Sequence, residues 1–246
     1  MVKRIVWFLP LFMLFYCGCG VLDATVNAER VRGSGNVIQQ NRDVHGFHGV
    51  SFAGSGELSI RQGNEESLIV EADDNILPYI RTDVEEGRLF IGFRRGVSVS
   101  TSSPIRFTLM VRELDELDLS GSGKIRTGPV RGEDFRIHLS GSGEIRMDTL
   151  DAATLKADIS GSGDMELPGK VDRQEIHISG SGRFHAPDLD SQSADITVSG
   201  SGDATLRART SLSARISGSG SVEYYGNPSV TKKVSGSGSV RHLGDR

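Results

Sequence analysis

The tetrapeptide Ser-Gly-Ser-Gly begins at Ser120, Ser140, Ser160, Ser179, Ser199, Ser217 and Ser235, at spacings of 20, 20, 19, 20, 18 and 18 residues. A period that regular belongs to stacked repeats, in which each unit buries its apolar face only against its neighbours. Just before the first serine stand Leu119, Leu139, Ile159, Ile178, Val198, Ile216 and Val234. Two residues past the last glycine stand Ile125, Ile145, Met165, Phe184, Ala204, Val222 and Val240. The flanking residues are polar: Asp118, His138, Asp158, His177, Thr197, Arg215 and Lys233 before, and Lys124, Glu144, Asp164, Arg183, Asp203, Ser221 and Ser239 after. Alternation with period two makes these segments strands with one face inside. A weaker inward row, Phe135, Leu155, Gln174, Ala194, Leu212 and Val230, lies five residues before each first serine from Ser140 onward.

A repeat of this length has room for a helix, as in leucine-rich repeats. Here each copy spends four residues on Ser and Gly, and each glycine costs a helix about 1 kcal/mol relative to alanine. Short strands and glycine corners leave an all-β chain, a parallel β-helix with about 18–20 residues per coil. Its coils stack about 4.8 Å apart, so seven make a rod of about 30 Å. Counting by parity from Leu119 to Ile125 points both glycines of each corner inward, where a missing Cβ relieves a tight bend. The expected corner glycines are Gly121, Gly123, Gly141, Gly143, Gly161, Gly163, Gly180, Gly182, Gly200, Gly202, Gly218, Gly220, Gly236 and Gly238. The two serine columns then face outward.

Ahead of the repeats, Lys3 and Arg4 precede an apolar run from Ile5 to Tyr16. The run is short of the roughly 20 residues that span a bilayer, and it suits the core of a signal peptide over residues 1–19. Cys19, preceded by Gly18, fits the modified cysteine of a bacterial lipoprotein better than Cys17, which follows Tyr16. Residues 20–40 read as a tether with Gly33-Ser34-Gly35 as a linker, or else as a ragged first strand. No cysteine follows Cys19, so an exported domain here holds together without disulfides. Setting aside Lys3 and Arg4 leaves 26 basic against 32 acidic residues, a balance of −6 that speaks against nucleic acid as a partner.

Residues 43–116 are less regular. Val50, Phe52 and Ala53-Gly54-Ser55-Gly56 repeat the corner, with Leu58 and Ile60 after it, and strands are expected at 67–71, 88–93 and 105–111. Asp73 to Pro78 allow one helical turn at most. This half is expected to form wider coils or a small sandwich continuous with the solenoid, making 41–246 one domain. At the other end, Lys232, Lys233 and Arg241 suit protection of an open strand edge.

Asp43-Val44-His45-Gly46-Phe47, Val50 to Gly56, Val70-Glu71-Ala72-Asp73-Asp74-Asn75-Ile76-Leu77-Pro78-Tyr79-Ile80 and Gly87-Arg88-Leu89-Phe90-Ile91, followed by the Ser-Gly ladder, resemble the auto-transporter adhesin "head GIN" domain family of bacterial envelope proteins. The resemblance runs from about Asn41 to Leu243. It implies a right-handed parallel β-helix that is exported, often lipid-anchored, and without an established enzymatic activity or cofactor.

No phosphate loop is present: Gly121-Ser122-Gly123-Lys124-Ile125 lacks the hydroxyl residue after the lysine and the earlier glycine. Nor does a Gly-x-Ser-x-Gly nucleophile elbow occur. Asp118, His138, Asp158 and His177 would stack about 4.8 Å apart, as a metal- or pH-responsive row or as complementary surface charge. A carbohydrate-active enzyme would need converging carboxylates, for which Glu144 with Asp164, or Asp203 with Arg183, are the candidates. Tyr224 and Tyr225 are the only adjacent aromatic pair in the repeats. The expected activity is non-catalytic: adhesin-like binding of a surface protein or glycan at the cell envelope of the outer membrane, with lipid on Cys19 as membrane contact. Weak end-to-end self-association is the structural alternative.

Overall fold

The computed structural model describes residues 29–245. The leader expected over residues 1–19, with Cys19, lies outside the described residues. The fold is a parallel β-solenoid, and the one helical element among the described residues is the 3-10 turn Leu77–Tyr79, with Pro78 in its first turn.

Two ladders run its length. In the first, Arg88–Phe93, Gly49–Gly54, Glu116–Gly121, Asp134–Gly141, the second half of Glu144–Gly161, Gly169–Gly180, Leu189–Gly200, Ser211–Gly218 and Ser229–Gly236 lie parallel. The second runs through Arg106–Val111, Glu57–Gln62, Lys124–Arg131 and the first half of Glu144–Gly161. It continues through Asp164–Glu166, Arg183–His185, Asp203–Arg207, Ser221–Tyr225 and Ser239–His242. The registers set like on like. Ile91, Phe52, Leu119, Leu139, Ile159, Ile178, Val198, Ile216 and Val234 make one core column, and Phe107, Leu58, Ile125, Ile145, Met165, Phe184, Ala204, Val222 and Val240 another. All members but the last of each are buried, so each side chain packs on the coil before and the coil after.

Stacking order departs from chain order at the N-terminal end. Gly49–Gly54 lies between Arg88–Phe93 and Glu116–Gly121, and Glu57–Gln62 between Arg106–Val111 and Lys124–Arg131. The chain lays down an inner coil, leaves it at residue 67, builds the outer coil from Arg88 to Val111, and returns at Glu116 on the far side of the first. In place of wider coils or a sandwich, this half holds ordinary parallel rungs closed by an antiparallel cap. Val37–Arg42 pairs with Ser67–Asp73, which pairs with Arg106–Val111, while Ile80–Glu85 pairs with Arg88–Phe93. Residues 29–40 of the expected tether belong to this cap. Glu29–Arg32 adds a separate two-stranded parallel pair with Val97–Ser100, and Val31 is buried. Gly33-Ser34-Gly35 is held rather than free: the Gly33 amide donates to the Ser100 carbonyl at 2.8 Å and the Ser34 hydroxyl to Asp74 at 2.5 Å.

Each Ser-Gly-Ser-Gly segment carries the chain from the first ladder to the second, and only its second glycine points inward as parity required. Gly123, Gly143, Gly163, Gly182, Gly202 and Gly220 are buried, and a Cβ on Gly163 would lie 2.6 Å from Leu139 Cδ2. The first glycines, from Gly121 to Gly236, have φ between +111° and +129°, which breaks the alternation as a bulge does. A Cβ on Gly161 would point along the stack, 2.5 Å from the Gly141 carbonyl oxygen. That oxygen accepts from the Ser162 amide at 2.8 Å, so the corner is hydrogen-bonded from coil to coil and has no room to yield. Both serine columns face outward.

The last coil differs. Ser229–Gly236 is exposed along its length and pairs only with Ser211–Gly218 among the described residues. Its Lys232 continues the core column Ile137, Ala157, Ile176, Ile196 and Ala214.

Candidate functional site

The column Asp118, His138, Asp158, His177, Thr197, Arg215 and Lys233 is in strict register on the outward face. His177 Nδ1 lies 3.8 Å from Asp158 Oδ1, both side chains about half exposed to solvent. Among the described residues no group of three or more His, Cys, Asp or Glu is placed to hold a metal ion. A flat row shares pairs and does not converge on a point. Partial burial raises the Asp118 carboxyl above its ordinary range, against the pull of the nearby Arg88 guanidinium.

Glu144, Asp164, Arg183 and Asp203 also form one column. Each carboxylate has a partner. Glu144 is engaged by Arg146 and lies 3.7 Å from Lys124, Asp164 lies 3.6 Å from Arg183, and Asp203 accepts from the Ser221 hydroxyl at 2.5 Å. The groove here, about 320 Å³ and lined by Glu144, Arg146, Asp164, Glu166, Arg183 and His185, is a surface of ion pairs between successive coils. Lys156 with Glu175, at 3.7 Å, and Arg215 with Asp195, at 2.9 Å, follow the same plan elsewhere. Exposed pairs of this kind contribute about 0.2–1 kcal/mol each. The best of them holds Asp190 below the usual carboxylate range, chiefly through the hydrogen bond from Arg209. Tyr224 and Tyr225 point to opposite faces as strand neighbours. Tyr224 follows the buried Leu206 in register and is itself followed by His242, on which it stacks at 5.0 Å between centroids.

A large concavity lies at the capped end. A cleft of about 1010 Å³ is lined by Ser51, Arg81, Glu85, Glu86, Arg88, Phe90, Phe93 and Arg95. Phe90 sits on the outward column, in register with Ser51 and then Asp118, so an aromatic ring stands where every other rung carries a polar side chain. The ring leans over Gly92, whose Cβ would come within 2.8 Å of its Cζ, and the Arg81 guanidinium carbon lies 5.4 Å from its centroid. Arg81 is fixed by Asp83 at 2.6 Å. Arg88 reaches over the bare Gly49 to Glu116, at 2.6 Å, and to Asp118, at 3.0 Å. Glu86, with φ of 50°, is the only non-glycine residue at positive φ among the described residues, and it occupies the turn that forms one wall. Sequence reading passed over this cleft because Phe90 reads as one more strand aromatic. The available signal was Gly92-Phe93-Arg94-Arg95-Gly96, standing where other coils carry Ser-Gly-Ser-Gly.

A solved structure named "putative adhesin" from Bacteroides fragilis superposes with a TM-score of 0.82 at 22% identity, covering 87% of this chain and the whole of the other. One named "Putative lipid binding protein" from Parabacteroides distasonis does so with a TM-score of 0.75 at 26% identity and the same coverage. A "putative adhesin" from Parabacteroides merdae follows with a TM-score of 0.72 at 22% identity, over 88% of this chain and all of the other. No protein of curated function matches the sequence. A family model described as "Putative auto-transporter adhesin, head GIN domain" matches residues 46–228, which take in the inner coil, the cap strands from Ser67 onward, the outer coil and all but the last of the regular rungs, and the chain belongs to that family.

Proposed function

We propose that this chain is a non-catalytic, adhesin-like protein of the cell envelope that binds a surface partner, exported by residues 1–19 and anchored by lipid on Cys19. The reading is supported first by the outward columns. Polar side chains there are locked in register along a rigid stack, and the carboxylates singled out as catalytic candidates are all spent on neighbouring coils. A surface so ordered offers a partner an array without paying to arrange it. The adhesin-like character of the family points the same way. Labelled protein spanning residues 20–246 is expected to bind intact bacterial or host cells saturably. Linear, unsaturable uptake on every surface tried rejects the reading. For the anchor, fatty-acid labelling is expected to be lost in Cys19→Ser and kept in Cys17→Ser.

A second reading, end-to-end assembly, is favoured by one observation: among the described residues the outer edge of Ser229–Gly236 is open, with Val230 and Val234 exposed. Against it stands Lys232, which a further coil would bury in the core column.

A further inference from the structure

We infer that the cleft beside Phe90 is a glycan-binding subsite that takes a neutral pyranose ring, an assignment that rests on the surface-binding reading above and narrows it to one place and one chemistry. Phe90 is half-buried yet faces outward, in a column whose other rungs are Ser51, Asp118, His138, Asp158, His177, Thr197, Arg215 and Lys233. An outward ring on a polar ladder adds nothing to the core beneath it. Ser51 and Gly92 leave two sides of it uncovered and open the cleft, while Asp83 stands directly across the antiparallel pair and the Arg81 guanidinium carbon lies 5.4 Å from the ring centroid.

The polar groups around the ring are mixed in sign. Arg81 and Arg88 are already neutralised by Asp83, Glu116 and Asp118, and the rest of the charged lining is Arg95 against Glu85 and Glu86. A bare anion would meet those carboxylates. A sugar ring suits the set better: its C–H face lies against an aromatic face, and each hydroxyl both donates to a carboxylate and accepts from a guanidinium. Two of the arginines are held before any ligand arrives, so their N–H donors not used in the ion pairs are oriented in advance. Glu86 and Gly87, with φ of 50° and 76°, form the two-residue hairpin turn between Ile80–Glu85 and Arg88–Phe93 that makes this wall.

The test uses saturation-transfer NMR on the protein spanning residues 20–246 with the methyl pyranosides of glucose, galactose, mannose and N-acetylglucosamine, and with glucuronate and inorganic phosphate as charged probes. At least one neutral pyranoside is expected to bind, with transfer strongest at its ring C–H protons. Phe90→Ser is expected to weaken that binding at least tenfold at an unchanged melting temperature, since the adjacent rung already carries Ser51. Glu133→Ala, exposed in the connection between Lys124–Arg131 and Asp134–Gly141 and outside the cleft and the columns, is expected to leave binding intact. No binding of any neutral pyranoside, binding of the charged probes alone, or equal binding by Phe90→Ser overturns the proposal. If cells are still bound saturably by Phe90→Ser, the subsite is wrong and the adhesin-like reading stands. If the parent protein binds no cells, that broader reading is what fails.

Discussion

Ile91 and Val234 occupy the same core column at opposite ends of the stack, and the first is 0% exposed while the second is 40% exposed. A solenoid buries each coil against the next, so each end leaves half a core uncovered and two strand edges unpaired. At the N-terminal end the chain covers that surface with its own antiparallel strands. Building that cover takes residues 67–87 out of the winding and forces the departure from chain order. At the C-terminal end no cover is laid among the described residues, and the column itself changes character, with Lys232 where five coils carry Ile or Ala. The covered end also holds the large cleft, where the outermost rung faces an antiparallel strand in place of another rung and carries Phe90 opposite Ser51.

The largest effect expected from that contrast is at the corners. Gly161→Val puts a branched side chain at φ +118° against a carbonyl hydrogen-bonded to the next coil, with coils packed on both sides. We expect a loss of several kcal/mol in chemical denaturation. Gly236→Val meets the same contact with Gly218, but in a coil that is free on its outer side to fray, and should cost well under half as much. Ser160→Ala, on an exposed column, should change stability by no more than about 0.5 kcal/mol. Equal losses for the two glycines would mean that the ends are as rigid as the middle.

The column itself gives the next test. Ile91→Ala is expected to cost about 2–5 kcal/mol, as for a buried side chain whose cavity cannot collapse. Val234→Ala should cost less than about 1 kcal/mol, since much of that side chain is already in water. A large loss at Val234 would show that something covers the last coil in solution.

The regular coils could be read almost entirely from sequence because repetition removes the ambiguity of a single strand. Seven copies fixed which of Leu119 and Ser120 faces inward, and hence the register of every rung that follows. The N-terminal rungs could not be read so. Val50 to Ile60 resemble a coil, yet nothing local says that the rung following them in the stack is Glu116–Gly121 and that Arg88–Phe93 lies on the other side. That order is set by long-range pairing, to which periodicity is blind. The inward parity given to Gly121 and its column failed for a related reason. Alternation counts residues and cannot see that one of them sits at positive φ. The cleft was hidden in the same way, because its walls come from strands whose adjacency only the stack reveals.

Lys232 offers the finest cut between the two ends. Charged side chains pointing inward on an edge strand oppose the addition of a further strand, because docking would strip water from an ammonium with no partner. Replacing it by valine restores the apolar pattern of the coils before it, flanked by the exposed Val230 and Val234. The monomer should change little in stability, as the position is in water either way. Association should change: in sedimentation velocity Lys232→Val is expected to show concentration-dependent growth beyond that of the parent protein, while Lys233→Val, on the outward column, is not. If both behave as the parent does, the open end is guarded by something other than this lysine. If the two associate equally, net charge rather than inward placement is the guard, and the contrast between a covered end and a charged one loses its basis.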